Sequence, residues 1–315
     1  MIRLKPLPEE GLTIRNSADV CHDWLGFCND NELAEPEFLL PLLERPIELT
    51  EFAFLSRPPT MDADSIRTQL QRLEPWEYTL NLSGVETRAI DDVTRVEWRF
   101  HRFRVDLICR TLFRMFGERM SAYDILDIAC HCGPFSLDLA ARGAGRVCGI
   151  DVRPKNIEQA RFLQQLYGIE NCDFEVGDAE FLPDREFDII LNLGLLYHVT
   201  FPMQLLQQCY DRCRVCCVVD TNVYNSPFAG FYLATGKDIS ISCEGKSHAE
   251  LLPTYRGLVL GMKTVGFEHI YELRGSNQVD EEIGSFCTFN RRVLVAFKNP
   301  PEDVEHLTSV TIDGT

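Results

Sequence analysis

Residues 125–136, ILDIACHCGPFS, constrain the fold of this chain more than any other stretch. The apolar residues of ILDI are closely spaced, as in a strand buried in a parallel sheet. Small or turn-forming residues follow, and apolar residues then recur at helical spacing from Phe135 onward. A strand, a tight turn and a helix in this order form the first unit of a nucleotide-binding α/β domain, with the ligand at the turn. Asp127, near the strand's end, suits a ligand with an amine or hydroxyls better than one led by phosphates.

Strand and helix patterns alternate along the next hundred residues. Strands are predicted at 146–150, 172–176, 187–192 and 216–220, helices at 155–167 and 201–214, and a final antiparallel pair of strands at 268–273 and 292–297. Such alternation implies a parallel sheet with right-handed crossovers. The pattern therefore predicts an α/β, Rossmann-like fold. Its mostly parallel seven-stranded sheet carries helices on both faces, and a helical N-terminal extension precedes it.

Composition along the chain suggests three regions. We expect residues 1–100 to form an N-terminal extension or cap, 101–300 the ligand-binding domain, and 301–315 a flexible acidic tail. Inside the domain, about 222–256 is rich in Ser, Gly, Asn and aromatic residues. So long an insertion in a compact fold is usually a functional lid.

Bulk properties narrow the class of protein. Hydrophobic residues make up 45% and charged residues 25% of the 315, as in ordinary globular proteins. The net charge of −17 works against a sequence-independent grip on nucleic-acid backbones. No apolar run is long enough for a membrane span, and MIRLKPLPEE lacks the apolar core of a signal peptide. We therefore expect a cytoplasmic protein with no membrane partner.

The thirteen cysteines are scattered, which favours reduced, buried thiols. The densest group, Cys213, Cys216 and Cys217, fits apolar alternation into a strand better than a zinc site, because no second CxxC or HxxxH accompanies it. No metal site is predicted.

Polar residues occupy four successive predicted strand ends: Asp127, Asp151, Asp178 and Asn192. Asp151, about 20 residues after the first turn, can accept from both hydroxyls of a ribose. Asp178 can accept from an exocyclic amine. Each Asp alone could be only a helix cap. Four polar residues at matching positions favour a ligand site.

From Ile125 to Val199 the chain resembles class I S-adenosylmethionine-dependent methyltransferases. The family's first motif, a strand with Asp and a Gly-x-Gly-x-Gly turn, corresponds to LDIACHCGPFS. Ala129 and His131 stand where glycines are usual, and only Gly133 is kept. The resemblance implies the Rossmann-like methyltransferase fold, S-adenosyl-L-methionine as cofactor and S-adenosyl-L-homocysteine as product. The predicted cofactor-binding residues are Asp127, Ala129, Cys130, His131, Gly133, Asp151, Val152, Asp178, Ala179, Asn192, Leu193, Gly194 and Tyr197.

Three segments resemble, more narrowly, the subfamily around the tRNA wobble-uridine carboxymethyltransferase. They are LGLLYHVTFPMQLL, PWEYTLNL and VEWRFHRFR. That enzyme uses carboxy-S-adenosylmethionine and reads its carboxylate with a Lys, a Tyr and an Arg. Tyr197 matches the Tyr, and Arg292 matches the Arg. The Lys position falls near Glu77 and Tyr78, where no Lys stands. Because Glu77 would repel a carboxylate, we expect ordinary S-adenosylmethionine.

Two histidines are candidate general bases, since imidazole titrates in the useful range. His198 follows Tyr197 at the mouth of the fourth strand, and His248 lies in the predicted lid. His198 could instead hold the cofactor loop, and His248 could be an exposed loop residue. The predicted substrate-binding residues are Tyr78, Trp98, Arg99, Tyr255, Arg256 and Arg292.

These observations favour a methyltransferase that acts on an O or N atom of a small-molecule acceptor, a metabolite or natural product. One alternative is a tRNA-modifying methyl- or carboxymethyltransferase, although the acidic charge argues against a nucleic-acid partner. Another is a non-catalytic S-adenosylmethionine-binding module, a reading that His131 keeps open. The sequence leaves the oligomeric state undetermined.

Overall fold

The computed structural model describes residues 52–87, 92–235, 247–273, 291–302 and 307–310, without the side chains of 92–100 and 308. All of them belong to one compact unit, Glu48–Thr315. Its α-helices are α1 (Ala63–Arg72), α2 (Asp92–Phe116), α3 (Pro134–Ala141), α4 (Pro154–Leu166), α5 (Pro202–Arg212) and α6 (Tyr255–Val265).

Twelve strands accompany these helices in the described residues. They are β1 (Asn81–Leu82), β2 (Val85–Glu86), β3 (Asp124–Ile128), β4 (Arg146–Asp151), β5 (Cys172–Val176), β6 (Phe187–Leu193), β7 (Cys213–Asn222), β8 (Phe231–Thr235), β9 (Ala249–Pro253), β10 (His269–Leu273), β11 (Arg291–Phe297) and β12 (Leu307–Ser309). Short 3-10 helices lie at Ala53–Ser56, Gly117–Ala122 and Leu196–His198.

The central sheet has the order β12-β10-β11-β7-β6-β3-β4-β5. Strands β3 to β7 run parallel, whereas β11 and β10 are antiparallel to their neighbours. This confirms the predicted seven-stranded, mostly parallel sheet. The eighth strand, β12, pairs antiparallel with Tyr271–Leu273. The prediction of a flexible tail over 301–315 is therefore wrong for Leu307–Ser309, whose backbone completes the sheet edge.

Helices cover both faces of the sheet, as predicted. One buried cluster takes Ile108 from α2, Leu137 from α3 and Leu163 from α4. The other takes Leu205 from α5 and Leu258 from α6. In each cluster, apolar helix residues pack on near-continuous apolar strands, and α3 is buried over almost its whole length.

Residues 52–87 pack into the same core as the sheet. Trp76 is 1% exposed, and its Nε1 donates to the carbonyl of Leu70 over 3.0 Å. Gln159 of α4 donates to the carbonyls of Leu73 and Pro75, each over 2.8 Å. The boundary predicted at residue 100 falls inside α2 and is corrected by these contacts. Within this segment, β1 turns back into β2 as a short antiparallel hairpin.

The region predicted as a lid, about 222–256, forms the antiparallel hairpin β8–β9 and then enters α6. Residues 236–246, between the two strands, lie outside the described residues. The nine described cysteines are buried and form no disulfide. Within the described ranges, no helix is both long and apolar enough to span a membrane.

Candidate active site

The sheet brings the predicted polar strand ends to one edge. Strand register pairs Ile128 with both Ile150 and Asn192, and Asp151 with Val176. Because these strands are parallel, their carboxyl ends share an edge, which is where open α/β sheets bind ligands. The predicted cofactor site is therefore assembled from four adjacent strands.

The turn after β3 keeps the backbone of a glycine motif, although only one of its three glycines is present. Ala129 has φ +57°, His131 has φ +53° and Gly133 has φ +82°. These three alternate residues are the positions at which the family has Gly, and left-handed backbone normally favours Gly. The departures at Ala129 and His131 therefore leave the turn geometry intact.

Gly133 is the position where a side chain is sterically excluded. A Cβ there would lie 2.5 Å from Cζ of Phe174 and 3.3 Å from Cβ of Ala160. The glycine lets the start of α3 approach α4 and β5 closely, which closes the turn beneath the ligand site.

Two buried carboxylates hold this turn. Asp127 accepts from Ser136 Oγ over 2.6 Å, and burial raises the pKa of Asp127 to about 7. Asp151 accepts from the backbone N–H groups of His131 (3.0 Å) and Arg153 (2.9 Å) and from Asn156 Nδ2 (3.1 Å). A carboxylate has about four acceptor sites, so Asp151 can close the turn and still accept from a ligand hydroxyl.

Asn192, at the end of β6, fits a bound ligand. It is 0% exposed, and neither Nδ2 nor Oδ1 has a hydrogen-bond partner. Leaving such a group unpaired costs about 1–3 kcal/mol, so buried polar atoms in native proteins are normally satisfied. A ligand with both donors and acceptors at this strand end, such as the methionine part of the cofactor, supplies the missing partners.

The predicted adenine-side residues lie beyond β4 and β5. Asp178 Oδ1 accepts from the backbone N–H of Glu180 over 3.1 Å, so it also shapes its own turn. Val152 and Ala179 are partly buried next to these strand ends. Gly194 has φ +80°, and its N–H donates to the Asp220 carbonyl over 2.7 Å, which fixes the loop after β6 against β7.

His131 is engaged at both ring nitrogens. The backbone N–H of Cys132 donates to Nδ1 over 2.7 Å, and Nε2 lies 3.4 Å from Oε2 of Glu77. The edge of Tyr78 packs on the same ring, with centroids 4.8 Å apart. Glu77, predicted to repel a cofactor carboxylate, is thus held by a histidine of the cofactor turn.

A buried cluster of two arginines and one aspartate lies beside the loop after β6. Arg104 Nε donates to Asp220 Oδ2 over 2.5 Å, and Arg291 Nε donates to Oδ1 over 2.6 Å. The two guanidinium groups lower the pKa of Asp220 although burial raises it. A Cβ on Gly194 would lie 3.0 Å from Nη2 of Arg291 and 3.5 Å from Nη2 of Arg104. Both cations therefore border the loop predicted to lie under the methionine moiety.

The arginine beside Tyr197 is Arg291, not Arg292. Arg291 Cζ lies 5.9 Å from the Tyr197 ring centroid. Arg292, predicted to match the carboxylate-reading Arg, instead lies 3.5 Å from Glu272 and over the ring of Tyr255. Successive residues of a strand point to opposite faces, so one position of register decides between them.

His198 lies against the hairpin. Its Nδ1 is 3.2 Å from Oε1 of Glu250 on β9, and both side chains are largely buried. Its ring centroid is 4.0 Å from that of Tyr197. The separation is that of an ion pair, but its geometry is not that of a hydrogen bond, and among the described residues Nδ1 of His198 has no hydrogen-bond partner.

The other histidine near the cluster is arranged differently. His101 Nδ1 lies 2.8 Å from Nη1 of Arg104, which can only donate, so its lone pair is occupied. Burial, with Arg104 and Arg291, lowers the pKa of His101 well below its ordinary value. His101 and His131 each have Nδ1 in contact with a hydrogen-bond donor, whereas His198 Nδ1 lies beside a carboxylate.

The remaining predicted residues are distributed around the site. Tyr255 donates to Glu272 over 3.2 Å, and Arg256 reaches the Pro227 carbonyl over 3.4 Å. His248 is exposed, just before β9. Trp98 and Arg99 fall in α2, in the part whose side chains are outside the description.

Sequence reasoning missed Arg104, Asp220, Arg291 and Glu250. Two of them left a signal. Asp220 ends the fifth parallel strand like the four polar strand ends already noted, and Arg104 lies four residues before Ile108 on the buried face of α2. A charge in an apolar stripe requires a buried partner. Glu250 gave no such signal because its partner is distant in sequence.

Comparison with known proteins accords with this geometry. The profile of the Methyltransferase domain family matches residues 120–226. A tRNA U34 carboxymethyltransferase of Alteromonas mediterranea is 24% identical over 259 residues, 78% of this chain and 70% of that protein. A ubiquinone biosynthesis O-methyltransferase of Maricaulis maris is 30% identical over 151 residues, 42% of this chain and 59% of that protein.

The chain carries a class I S-adenosylmethionine-dependent methyltransferase domain. The fold of this methyltransferase is also that of the N-terminal domain of EvdMO1, crystallised in the presence of S-adenosylhomocysteine and D-fucose. The two superpose with a TM-score of 0.62 at 21% identity, covering 76% of this chain and 98% of that domain. This likeness concerns the fold, and the methyltransferase domain is S-adenosylmethionine-dependent, as predicted.

Proposed function

We propose that this methyltransferase moves the methyl group to a hydroxyl oxygen of a small-molecule acceptor, with His198 as general base. The observation that carries the proposal is the contact of His198 Nδ1 with Glu250, 3.2 Å away. In the proposed arrangement a proton on Nδ1 faces this carboxylate, and Nε2 is left to accept the hydroxyl proton. The O-methyltransferase named for the Maricaulis maris relative supports oxygen as the acceptor atom.

S-adenosylmethionine supplies an electrophilic methyl group on a sulfonium. As the acceptor oxygen took the methyl carbon and the carbon–sulfur bond broke, Nε2 of His198 would accept the hydroxyl proton. Glu250 then faces an imidazolium and stabilises its charge. Asp151, Asn192 and the turn residues hold the cofactor in line, which supplies much of the rate acceleration through orientation.

The test uses S-adenosylmethionine labelled in its methyl group, incubated with a small-molecule cell extract or with unfractionated tRNA. We expect label in the small-molecule fraction. We expect His198→Gln to reduce it about a hundredfold, the usual scale of a general base. S-adenosylhomocysteine affinity, measured by calorimetry, should stay within about twofold of wild type, since the base contacts the acceptor. His248→Gln is the matched control and should retain activity. Full activity in His198→Gln would remove the base assignment.

A second candidate is carboxymethyl transfer to tRNA, the activity in the name of the Alteromonas mediterranea relative. The contact of Arg291 with Tyr197 favours it, because an arginine and a phenol can bind a carboxylate on the transferred group. The net charge of −17 works against a tRNA partner.

Mass spectrometry of the co-purified cofactor separates the candidates, since the carboxylated cofactor is heavier. Arg291→Met, with Arg292→Met as control, adds a second readout. If the enzyme transfers a carboxymethyl group, Arg291→Met should lower the affinity for the carboxylated cofactor about tenfold or more. The affinity for S-adenosylhomocysteine should stay unchanged. Methyl transfer predicts co-purified S-adenosylmethionine or S-adenosylhomocysteine, and label only in the small-molecule fraction.

A further inference from the structure

The hairpin β8–β9 presents one face to His198. Ala234 pairs with Glu250, and Tyr232 pairs with Leu252. Directly paired residues point to the same face of a two-stranded sheet, and so do residues two apart along a strand. Because Glu250 meets His198, the side chains on the His198 side are those of Tyr232, Ala234, Glu250 and Leu252. We call these four residues the inner face of the hairpin.

Tyr232 places an aromatic ring on this inner face. Tyr224 stacks on it with centroids 4.2 Å apart and an interplanar angle of 8°. Tyr232 nevertheless stays 42% exposed. Tyr224 therefore covers one face of the Tyr232 ring, while much of Tyr232 stays accessible to a ligand that stacks on it.

The backbone holds Tyr224 in place. Its N–H donates to the Pro253 carbonyl over 2.7 Å, and it forms a parallel bridge with Thr254. Thr254 in turn caps α6 by accepting from the N–H of Gly257 over 3.0 Å. The stacked pair is thus preorganised by β9 and α6, so little entropy is lost when a ligand ring stacks on it.

The stacked pair of Tyr224 and Tyr232 lies close along the hairpin to Glu250, the residue in contact with His198. Tyr232 and Glu250 sit on neighbouring rungs of the hairpin, two residues apart, which corresponds to about 7 Å along the strand. The ring of Tyr232 and the carboxylate beside His198 thus share one face at adjacent positions. A flat acceptor on Tyr232 would extend towards His198.

We propose that the acceptor is an aromatic ring bearing a hydroxyl, which stacks on Tyr232 and gives its phenolic proton to His198. This deepens the methyl transfer proposed above and rests on it. Aromatic rings gain about 0.5–1.5 kcal/mol from offset stacking beyond the area that they bury. A phenol, with a pKa near 10, is within reach of an imidazole base, whereas an alkyl hydroxyl is far less acidic.

Saturation-transfer NMR on the protein loaded with S-adenosylhomocysteine tests the ring site. The probes are catechol, 1,2-cyclohexanediol as a non-aromatic match, and methyl β-glucopyranoside as a sugar. We expect signal transfer to catechol alone. Tyr232→Ala should abolish it, and Tyr232→Phe, which keeps the ring, should retain it. Leu233→Ala is the control, because Leu233 lies on the opposite face and is 65% exposed.

The outcomes separate the two proposals. Equal catechol signals in Tyr232→Ala and wild type would overturn the ring site, and so would preferential binding of cyclohexanediol or the glucoside. Catechol binding that depends on Tyr232, without label transfer from S-adenosylmethionine to any phenol offered, would uphold the ring site and count against methyl transfer to oxygen. Calorimetry with S-adenosylhomocysteine verifies that every variant is folded and cofactor-competent.

Discussion

At the scale of single residues, Asp127 combines deep burial with a position at the ligand edge. It is 2% exposed, and burial raises its pKa from 3.8 to about 7. The folded protein thus holds a proton that the unfolded chain releases near pH 4. Stability contributed by this proton is lost as pH rises from about 4 to about 7, because the unfolded state then binds fewer protons than the folded state.

We therefore predict that the melting temperature of Asp127→Asn, relative to that of wild type, increases as pH rises from 5 to 8. Both proteins are measured without cofactor. An amide cannot ionise, so the variant avoids the cost of a buried carboxylate. Ser136→Ala serves as a comparison, since it removes the hydrogen bond to Asp127 but not the carboxylate. A melting-temperature difference that does not change with pH would contradict the shifted pKa.

In the proposed mechanism, Glu250 is a positioning residue that acts through His198, 3.2 Å away. We predict that Glu250→Ala moves the imidazole proton of His198 from Nδ1 towards Nε2, because the acceptor next to Nδ1 is lost. Nitrogen-15 NMR of histidine-labelled protein reports the tautomer, and the spectrum of His198→Gln assigns the signals. S-adenosylhomocysteine affinity should not change.

Glu250→Gln provides the rescue in this experiment. Its amide oxygen still accepts from Nδ1–H, so the tautomer should match wild type although the charge is gone. The same tautomer in wild type, Glu250→Ala and Glu250→Gln would show that the 3.2 Å contact does not orient the base.

At the scale of elements, the turn between β3 and α3 depends on one missing side chain. We predict that Gly133→Ala lowers the free energy of unfolding by about 2–4 kcal/mol, from the clash with Phe174 and the strain of φ +82° together. Urea unfolding measures the loss.

Gly143→Ala is the matched control for that experiment. Gly143 has φ +99°, but a Cβ there would meet nothing within 4 Å. Gly143→Ala should therefore lower the free energy of unfolding only through the backbone conformation, by about 1 kcal/mol. Equal losses in the two variants would mean that Phe174 moves aside without cost.

The bounds of strand β11 do not tell which of its two arginines, Arg291 or Arg292, faces Tyr197. Its existence and its start near residue 292 are predictable from the apolar pattern, and the structure begins it at Arg291. Arg291 shares a face with Val293 and Val295, which pack with α2, whereas Leu294 packs on the opposite face. The two arginines have the same side chain and adjacent positions, so the sequence does not distinguish them. Only the register of the strand shows that Arg291 lies beside Tyr197.

At the scale of the whole molecule, residues 52–87 and the sheet share one core. We predict that Trp76→Ala costs about 3–5 kcal/mol, the range for a fully buried tryptophan. Because the core is shared, circular dichroism and tryptophan fluorescence should report one cooperative transition in urea. A separate early transition in the variant would instead support an independent N-terminal cap.

The sequence by itself determined the α/β class, the order of the parallel strands along the chain, and the polar strand ends that share one edge of the sheet. These follow from local pattern, since apolar periodicity and the turn residues act over a few neighbours. It also located His198 and the hairpin region, because both interrupt that pattern.

Only the tertiary structure decided which side chains meet across the site. The pairs His198–Glu250, His131–Glu77 and Arg104–Asp220 join residues 52, 54 and 116 positions apart, respectively. Such contacts depend on strand register and on how the hairpin folds over the sheet edge, and no local periodicity encodes either. The candidate cofactor residues lie within successive β–turn–α units, so local pattern was enough to propose them. The acceptor half is built between distant segments, so it became visible only in the folded chain.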